Sequence, residues 1–427
     1  MYELLSPAGD LERFRGAVMY GADAVYLGTE KFSMRAKPPN FTEKTLAEAV
    51  SFAHENGVKA YLTCNSLPRN SELNAFEPYI KTAAEIGIDA LIIADLGLFS
   101  LARKILPDME IHMSTQTGAV NFQTVKMLYE MGAKRIVLAR ELNLNEISEI
   151  HAKVPEAELE VFVHGSMCVS FSGRCLLSEY MTGRDANRGE CAQACRWKYA
   201  LTEEKRPGEY YPIEEYKEGA YILNSKDLNA LPFLEQVLAT GVTSLKIEGR
   251  AKSAYYVSAV TNAYRVALDA LKANKPIPEW VIGETEKVSH RQYSSGFFFG
   301  NNQTSTSLTA PINTLSNIQR NYHPNTPGQV YSNGGYERDY DIAAVVTGVK
   351  DGRMYCRQRN KILPDTACEI ILKGEKYIDY TIGKLYDKNN NEIPDTRHSE
   401  MEFSFDYNGK PVQSGSIIRI RGLKSFK

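Results

Sequence analysis

The 427-residue chain lacks any run of about 18 apolar residues, the length that a membrane-spanning helix needs. Its first residues, Met1 to Pro7, lack the basic-then-apolar pattern of a secretory leader. Charge of one sign is not in excess either, because 50 Lys and Arg are balanced by 52 Asp and Glu, for a formal net charge of −2. We therefore expect a cytoplasmic protein without a membrane partner, in which any nucleic-acid binding depends on a local basic face.

Cysteine is scarce, with seven residues, but four of them fall within 28 residues. Their spacing is Cys168-x6-Cys175-x15-Cys191-x3-Cys195, without the two short Cys-x2-Cys knuckles of a zinc ribbon. Thiolates bind soft metals, and the uneven spacing suits a [4Fe–4S] cube, whose ligands reach four corners. Four nearby arginines would offset the negative charge of such a cluster: Arg174, Arg184, Arg188 and Arg196. Tetrahedral zinc and four unrelated thiols are the alternatives.

A repeat of glycine followed by a short apolar run extends over the first 250 residues. It occurs at residues 21–28, 57–62, 87–93, 132–138 and 241–247. Glycine commonly ends a helix, and a short apolar run is typical of a buried parallel strand. Strands are predicted near residues 3–7, 22–28, 58–64, 88–94, 110–116, 134–140, 158–164 and 242–248. Eight such units predict a TIM-like (β/α)8 barrel. A doubly wound open sheet is the alternative, although residues 6–10 lack its Gly-rich nucleotide loop.

The pattern divides the chain into three parts. Residues 1–275 are predicted to form the barrel, residues 276–337 a linker or wrap, and residues 338–427 a small all-β domain. Within the first part, residues 165–220 are too long for a loop between strands seven and eight. They therefore form a cysteine-rich insertion at the C-terminal end of strand seven, where barrel active sites lie. A delayed helix is expected at about Asp227–Ala239.

Three segments of the chain resemble peptidase family U32, the collagenase-like proteases. They are Glu160–Ser178, which includes His164, Cys168 and Cys175, together with Ser6–Gly9 and Ser289–Gly300. The β-rich tail is similar to the C-terminal domain of that family, so the resemblance covers nearly the whole chain.

The resemblance implies a function different from the family name. The chain looks like the branch that converts the wobble uridine of tRNA to 5-hydroxyuridine, with a [4Fe–4S] cluster and with prephenate as co-substrate. Carried over by position, the cluster ligands are Cys168, Cys175, Cys191 and Cys195. tRNA is the implied partner, and a paralogous partner subunit is a further expectation, while the oligomeric state is left open. The alternatives are hydroxylation of ribosomal RNA, a non-catalytic cluster-bearing RNA-binding factor, and a peptidase. Against the peptidase, Cys168 cannot be both ligand and nucleophile, and no His-Glu-x-x-His motif is present.

Polar residues at the ends of the predicted strands mark the mouth of the barrel. On strand eight, Lys246 and Glu248 share the parity that faces the lumen, and Arg250 follows at the mouth. We predict catalytic roles for His164, Lys246 and Glu248, the alternatives being a structural Lys–Glu pair and an orienting histidine. Substrate-binding residues are predicted at the ends of other strands and at the mouth: Asn65, Asp95, Gln116, Arg140 and Arg250.

A basic run in the C-terminal domain is the candidate RNA-binding surface. Arg353, Tyr355, Arg357, Arg359 and Lys361 share one parity, so on a strand they would point the same way. Phosphates would bind the cations Arg357, Arg359 and Lys361, and the tyrosine would stack on a base. The basic tail adds Arg419, Arg421, Lys424 and Lys427. The alternative is an ordinary solvated strand face.

Overall fold

The computed structural model of the protein describes residues 2–34, 40–168, 170–197, 225–300 and 336–422. These residues belong to two compact units. The first unit comprises Met1–Phe14, Asp23–Ala251 and Arg291–Tyr336, and the second comprises Arg15–Ala22, Lys252–His290 and Glu337–Lys427. No helix in the described ranges is both long enough and apolar enough to cross a bilayer.

A closed parallel barrel forms the first unit. Its described strands are β1 Glu3–Pro7, β2 Ala24–Leu27, β3 Lys59–Cys64, β4 Ala90–Ile93, β5 Glu110–Met113, β6 Arg135–Val137, β7 Glu158–Ser166, β8 Asp227–Asn229, β9 Ser244–Ile247 and β10 Tyr293–Ser294. Strands β1 to β7 pair in sequence order, and β9 pairs in parallel with both β1 and β7. Eight strands therefore close the ring, which confirms the predicted (β/α)8 barrel and excludes the open sheet.

Helices follow the barrel strands. They are α1 Leu11–Met19, α2 Glu43–Glu55, α3 Phe76–Ile86, α4 Leu96–Ile105, α5 Phe122–Glu130, α6 Leu144–Lys153, α7 Leu177–Thr182 and α8 Leu234–Ala239. Local sequence explains both ends of these helices. The Thr42 side chain caps the first turn of α2, and Gly87 ends α3 with φ of 95°. All five glycines that open the predicted repeat units adopt positive φ, which residues with a side chain rarely do.

The segment after the insertion differs from the prediction. Instead of a helix from Asp227, the chain forms strand β8, which pairs antiparallel with the end of β7 and parallel with β10. The buried Asp227 carboxylate accepts hydrogen bonds from the Arg291 guanidinium, with Nε at 2.9 Å. This distant partner holds the chain extended, so the helix begins only at Leu234.

The second unit contains two helices, α9 Ala254–Lys272 and α10 Glu279–Glu286, and an antiparallel sheet. Its strands are β11 Tyr340–Lys350, β12 Arg353–Gln358, β13 Thr366–Ile371, β14 Ile378–Ile382, β15 Leu385–Asp387, β16 Glu392–Ile393, β17 Glu402–Asp406 and β18 Ile417–Arg421. Inward-facing residues such as Met354, Phe405 and Ile418 form its apolar core. The prediction of an all-β C-terminal sheet is confirmed.

Candidate active site

A cavity of about 400 Å³ opens at the C-terminal end of the barrel strands. Its walls come from strand ends and from the cysteine-rich insertion. Seven of the predicted residues with polar or charged side chains line it: Asn65, Gln116, Arg140, Lys246, Glu248, Arg250 and Arg196. The structure therefore brings together these side chains from the ends of four barrel strands and from the insertion, as expected for the active end of such a barrel.

All four clustered cysteines are free thiols that line this cavity. Cys168 follows β7, Cys175 precedes α7, and Cys191 and Cys195 lie beyond α7. Burial raises the pKa of the Cys195 thiol; Arg196 opposes this shift, and the other three cysteines add to it. The four sulfurs are therefore close enough to interact electrostatically.

The four thiols line one cavity of about 400 Å³. Within the described ranges, no three His, Cys, Asp or Glu side chains converge as a single-ion site requires. Tetrahedral zinc with sulfur ligands at about 2.3 Å needs sulfurs within about 4 Å of one another. Four soft donors that share one cavity without converging on one point fit an iron–sulfur cube better than one zinc ion.

The insertion is held across the barrel mouth by contacts to several strand ends. Glu141, after β6, accepts hydrogen bonds from the Ser172 backbone N–H at 2.7 Å and from its hydroxyl at 2.9 Å. Arg174 Nε donates to the Gln116 carbonyl beyond β5 at 2.7 Å. Beyond β3, the Leu67 N–H donates to the Asn187 carbonyl at 3.2 Å. The insertion is therefore anchored on three sides of the mouth.

Asn187 also braces one of the cysteines directly. Its side-chain oxygen accepts from the Cys175 N–H at 3.2 Å, and its side-chain nitrogen donates to the Cys175 carbonyl at 3.1 Å. The amide thus fixes the backbone on both sides of the Cα that carries the thiol.

Lys246 forms the floor of the cavity as a buried ammonium group. Its Nζ lies 2.7 Å from Glu160 Oε1 and 4.7 Å from the centre of the Tyr26 ring. Burial opposes ionisation of Glu160, but Lys246 and Arg135 outweigh it and lower the pKa of Glu160 to about 2. The Lys–Glu pair considered from sequence therefore exists, with Glu160 rather than Glu248 as the partner.

Glu248 and Arg140 form a second pair on the cavity wall. Arg140 Nη2 lies 3.4 Å from Glu248 Oε2, and Arg140 Nη1 donates to the Ser166 carbonyl at 3.0 Å. The guanidinium lies over the Phe162 ring at 3.7 Å. These contacts orient Arg140 with its planar face on the aromatic ring.

Arg250 is buried at the rim and is positioned by neutral groups. It donates to the hydroxyl of Ser33 at 2.6 Å, to that of Thr63 at 3.2 Å and to the side-chain oxygen of Asn40 at 3.1 Å. Ser33 and Asn40 were not identified from sequence, because they lie in a loop without periodicity.

Two predicted residues lie outside the cavity lining. The Asp95 carboxylate accepts from the Leu98 N–H and caps helix α4. His164 is buried, and its Nε2 lies 3.3 Å from the Tyr293 hydroxyl. Tyr293 belongs to the Ser289–Gly300 segment, and nothing in its local pattern indicated this contact.

The predicted basic run of the second unit lies on strand β12 only as far as Arg357, because the strand ends at Gln358, and the cations of the run are paired with acids. Tyr355 and Arg357 point outward from β12. Arg357 and Arg359 both pair with Glu400, and Lys361 Nζ lies 3.0 Å from Asp395.

The contribution expected from the basic tail does not hold for Arg419. Its side chain is fully buried, because Glu284 and Glu369 surround the guanidinium with carboxylates. Arg421 is exposed, and Lys424 and Lys427 lie outside the described residues.

Comparison with known proteins identifies the family. The model of peptidase family U32 matches residues 9–307, and that of the peptidase family U32 C-terminal domain matches residues 338–419. The chain belongs to peptidase family U32. Among curated members of the U32 family, the chain is 42% identical over 334 residues to "tRNA hydroxylation protein P" of Escherichia coli, covering 69% of this chain and 74% of that protein.

Two further U32 relatives carry names that refer to RNA. "tRNA hydroxylation protein P1" of Bacillus subtilis is 34% identical over 406 residues, covering 93% of this chain and 89% of that protein. "23S rRNA 5-hydroxycytidine C2501 synthase" of Escherichia coli is 39% identical over 298 residues, covering 68% of this chain and 44% of that protein.

Proposed function

We propose that this chain hydroxylates RNA in the cytoplasm, converting the wobble uridine of tRNA to 5-hydroxyuridine. The observation that carries the proposal is the set of four thiols around one cavity, beside cationic side chains, at the active end of a barrel. Membership of the U32 family supports it, because relatives that cover most of this chain are named for tRNA hydroxylation.

In this proposal, Cys168, Cys175, Cys191 and Cys195 hold a [4Fe–4S] cluster. Four soft thiol donors that line one cavity fit a [4Fe–4S] cluster. When bound, the cluster supplies one-electron redox chemistry beside the substrate. The chain itself contributes a rigid frame, because Asn187 and Glu141 fix the backbone of the insertion.

The co-substrate in this proposal is prephenate, a dicarboxylate. Lys246 and Arg250 present buried cationic groups to the cavity, and Arg140 presents a guanidinium next to Glu248. Cations in a partly desolvated site bind carboxylates more strongly than exposed ones do. We assign Lys246, Arg250 and Arg140 to carboxylate binding, and Glu248, the carboxylate of the described cavity lining, to proton transfer.

Asn65 and Gln116 supply neutral hydrogen-bonding groups to the same cavity, which suits the polar edge of a uracil base. His164 does not line the cavity but contacts the Tyr293 hydroxyl, so we propose a positioning role for it.

The same residues fit the mechanism of a cysteine protease less well. The Cys168 side chain lines the cavity, whereas His164 is not among the lining residues and contacts Tyr293. Burial raises the pKa of the Cys168 thiol, which disfavours the thiolate that a cysteine protease needs. A peptidase would cleave peptides as iron-free protein, so that assay separates the two functions.

The decisive experiment measures modified nucleosides by mass spectrometry in cells without this gene. We expect 5-hydroxyuridine to disappear from tRNA, to return with the wild-type chain, and not to return with Cys191→Ala. Full restoration by Cys191→Ala would refute the role of the cysteine site. Loss of 5-hydroxycytidine from 23S rRNA, with tRNA unchanged, would favour the ribosomal substrate.

A purified-protein assay distinguishes a catalyst from a non-catalytic RNA-binding factor. The protein is isolated without oxygen, its iron and sulfide are counted, and it is incubated with unmodified tRNA and prephenate. Four irons per chain are expected for the proposed cluster. A zinc-containing protein without iron would refute the cofactor assignment.

A further inference from the structure

The outer surface of the cysteine-rich insertion exposes aromatic side chains. Tyr180 on α7 is 81% exposed, Phe171 is 52% exposed and Trp197 is 41% exposed. Five of the fifteen large exposed apolar side chains in the described ranges lie within residues 171–197. Such a concentration on one short segment is unusual for a surface that meets only water.

Arginines lie among these aromatic residues, and the contacts described for three of them are to neutral oxygens. Arg174 donates to the Gln116 carbonyl, Arg184 donates to the Cys191 carbonyl at 3.3 Å, and Arg196 donates to neutral oxygens. Within the described ranges, these three guanidinium groups contact no carboxylate. Arg188 is different, because it pairs with Glu72 at 3.1 Å.

This surface is continuous with the cavity. Arg196 lines the cavity, and its Nη1 donates to the Tyr336 hydroxyl at 2.9 Å, while Trp197 follows it in the chain. On another side, the Phe171 ring lies against Gly118, two residues beyond Gln116 of the cavity wall. Aromatic and cationic groups therefore lie beside the cavity on two sides.

We infer that this surface, the insertion rim, binds the unpaired nucleotides on either side of the base that enters the cavity. The insertion rim consists of Phe171, Tyr180, Trp197 and Tyr336 with Arg174, Arg184 and Arg196. This inference rests on the proposed function and names the docking surface for its substrate. Unstacked bases of single-stranded RNA stack on aromatic rings and guanidinium planes, and phosphates bind arginines.

The balance of charges indicates that stacking contributes a large share of the binding. Glu179 and Glu190 are exposed on the same segment, and the four Arg of residues 171–197 are opposed by Glu179, Asp185 and Glu190, so the formal net charge of the segment is +1. Long duplex RNA, which offers phosphates without free bases, therefore fits the rim less well than an open loop.

The test uses the full-length holoprotein and a fluorescent anticodon stem-loop RNA, with binding followed by anisotropy. Loss of one stacking partner costs about 1–3 kcal/mol, so Tyr180→Ala and Trp197→Ala should each weaken binding roughly 5- to 150-fold. Tyr2→Ala is the matched control, because Tyr2 is also 41% exposed but precedes β1, at the opposite end of the barrel strands. Unchanged iron content and visible absorption would show that the variants keep the cofactor.

The salt dependence of binding tests the arginines separately. Three phosphate contacts on a single strand predict a slope of log K against log salt of about −2. Arg184→Ala should reduce the magnitude of that slope by about 0.7. An unchanged slope would show that Arg184 does not contact phosphate and does not belong to the insertion rim.

Failure of this inference is distinguishable from failure of the proposed function. If wild-type protein binds and hydroxylates the RNA while Tyr180→Ala and Trp197→Ala bind it equally well, the rim is refuted and the proposed function stands. If wild-type protein neither binds nor hydroxylates RNA, both are refuted. Loss of a protein partner with unaltered RNA affinity would assign the rim to that partner and overturn the inference.

Discussion

The arginines of the insertion rim and those at the end of strand β12, Arg357 and the adjoining Arg359, have different surroundings. Arg184 and Arg196 donate to backbone or neutral side-chain oxygens. Arg357 and Arg359, by contrast, both pair with Glu400. A phosphate must displace the Glu400 carboxylate before it gains the full interaction with Arg357 or Arg359. The density of arginine in a sequence therefore does not measure the charge that is available to a ligand.

The cysteines of the same two regions differ in a parallel way. Cys356 and Cys368 are buried in the apolar core of the second unit, and burial raises the pKa of Cys368 to about 12. They are small hydrophobic residues in effect, with no role in metal binding indicated. The insertion cysteines line a polar cavity beside arginines.

The largest effect that tests this comparison is expected from the cysteines. Cys191→Ala should lower hydroxylation at least 100-fold and lower the iron content, because the proposed cluster would lose one of its four ligands. Cys356→Ala should keep both, with a loss of stability of about 1 kcal/mol from the removed buried atom. Iron counting and nucleoside mass spectrometry measure the two outcomes. Equal iron loss in both variants would contradict the proposal that only the insertion cysteines bind metal.

A second large effect concerns the buried arginine of the β unit. The Arg419 guanidinium contacts Glu284 at 2.6 and 2.8 Å and Glu369 at 2.6 Å. Arg419→Met leaves these buried carboxylates short of a partner, so the free energy of unfolding should fall by about 3–5 kcal/mol.

Urea unfolding followed by circular dichroism measures this loss. Arg421→Met is the matched control, because Arg421 is exposed two residues further along β18, and a change within about 0.5 kcal/mol is expected. Similar values for the two variants would contradict the structural role of Arg419.

A smaller effect is expected from pH, through the buried acid under the cavity. Glu160 has a pKa of about 2 in the folded protein, below the value of about 4.3 for an unfolded chain. The unfolded chain therefore takes up the proton first as the pH falls. The stability that ionised Glu160 contributes is fully present above about pH 4.3 and is lost between about pH 4 and 2.

The size of this contribution is about 3 kcal/mol by the conversion of pKa difference into free energy. Glu160→Gln should flatten the dependence of unfolding free energy on pH in that interval. Glu130→Gln, at an exposed position on α5, is the control. A Glu160→Gln profile parallel to wild type would exclude the buried ion pair as its cause.

The smallest effect is expected from the surface of β12. Reversing charge with Arg357→Glu and Arg359→Glu should weaken RNA binding by no more than about threefold, since exposed ion pairs contribute about 0–1 kcal/mol. Anisotropy with the anticodon stem-loop RNA measures this change. A loss as large as that of Trp197→Ala would transfer the RNA-binding role to the β unit and contradict our comparison.

Strong local patterns allowed much of the architecture to be predicted. The five repeated glycines predicted helix ends, and each adopts positive φ. The alternation of Met354, Tyr355, Cys356 and Arg357 predicted a half-buried strand. Exceptions occur where a distant partner decides the conformation. Asp227 is in a strand because Arg291 reaches it across 64 positions of sequence.

In the candidate site, too, local patterns predicted some residues, whereas tertiary contacts decided others. Lys246, Arg140 and Gln116 could be found because strand parity and strand ends determine what faces a barrel mouth. Asp95 also ends a strand, but its carboxylate is used as a helix cap. Arg419 lies on the face of β18 opposite the core residue Ile418, where carboxylates from elsewhere in the chain make its burial tolerable.

The sequence by itself determined the barrel, the all-β tail and the group of four cysteines, because periodicity and spacing are local properties of a chain. Only the tertiary structure decided which charges are neutralised and which remain available at the cavity, because ion pairs join residues far apart in sequence. The availability of a charge depends on its neighbours in space, and those neighbours exist only in the folded protein.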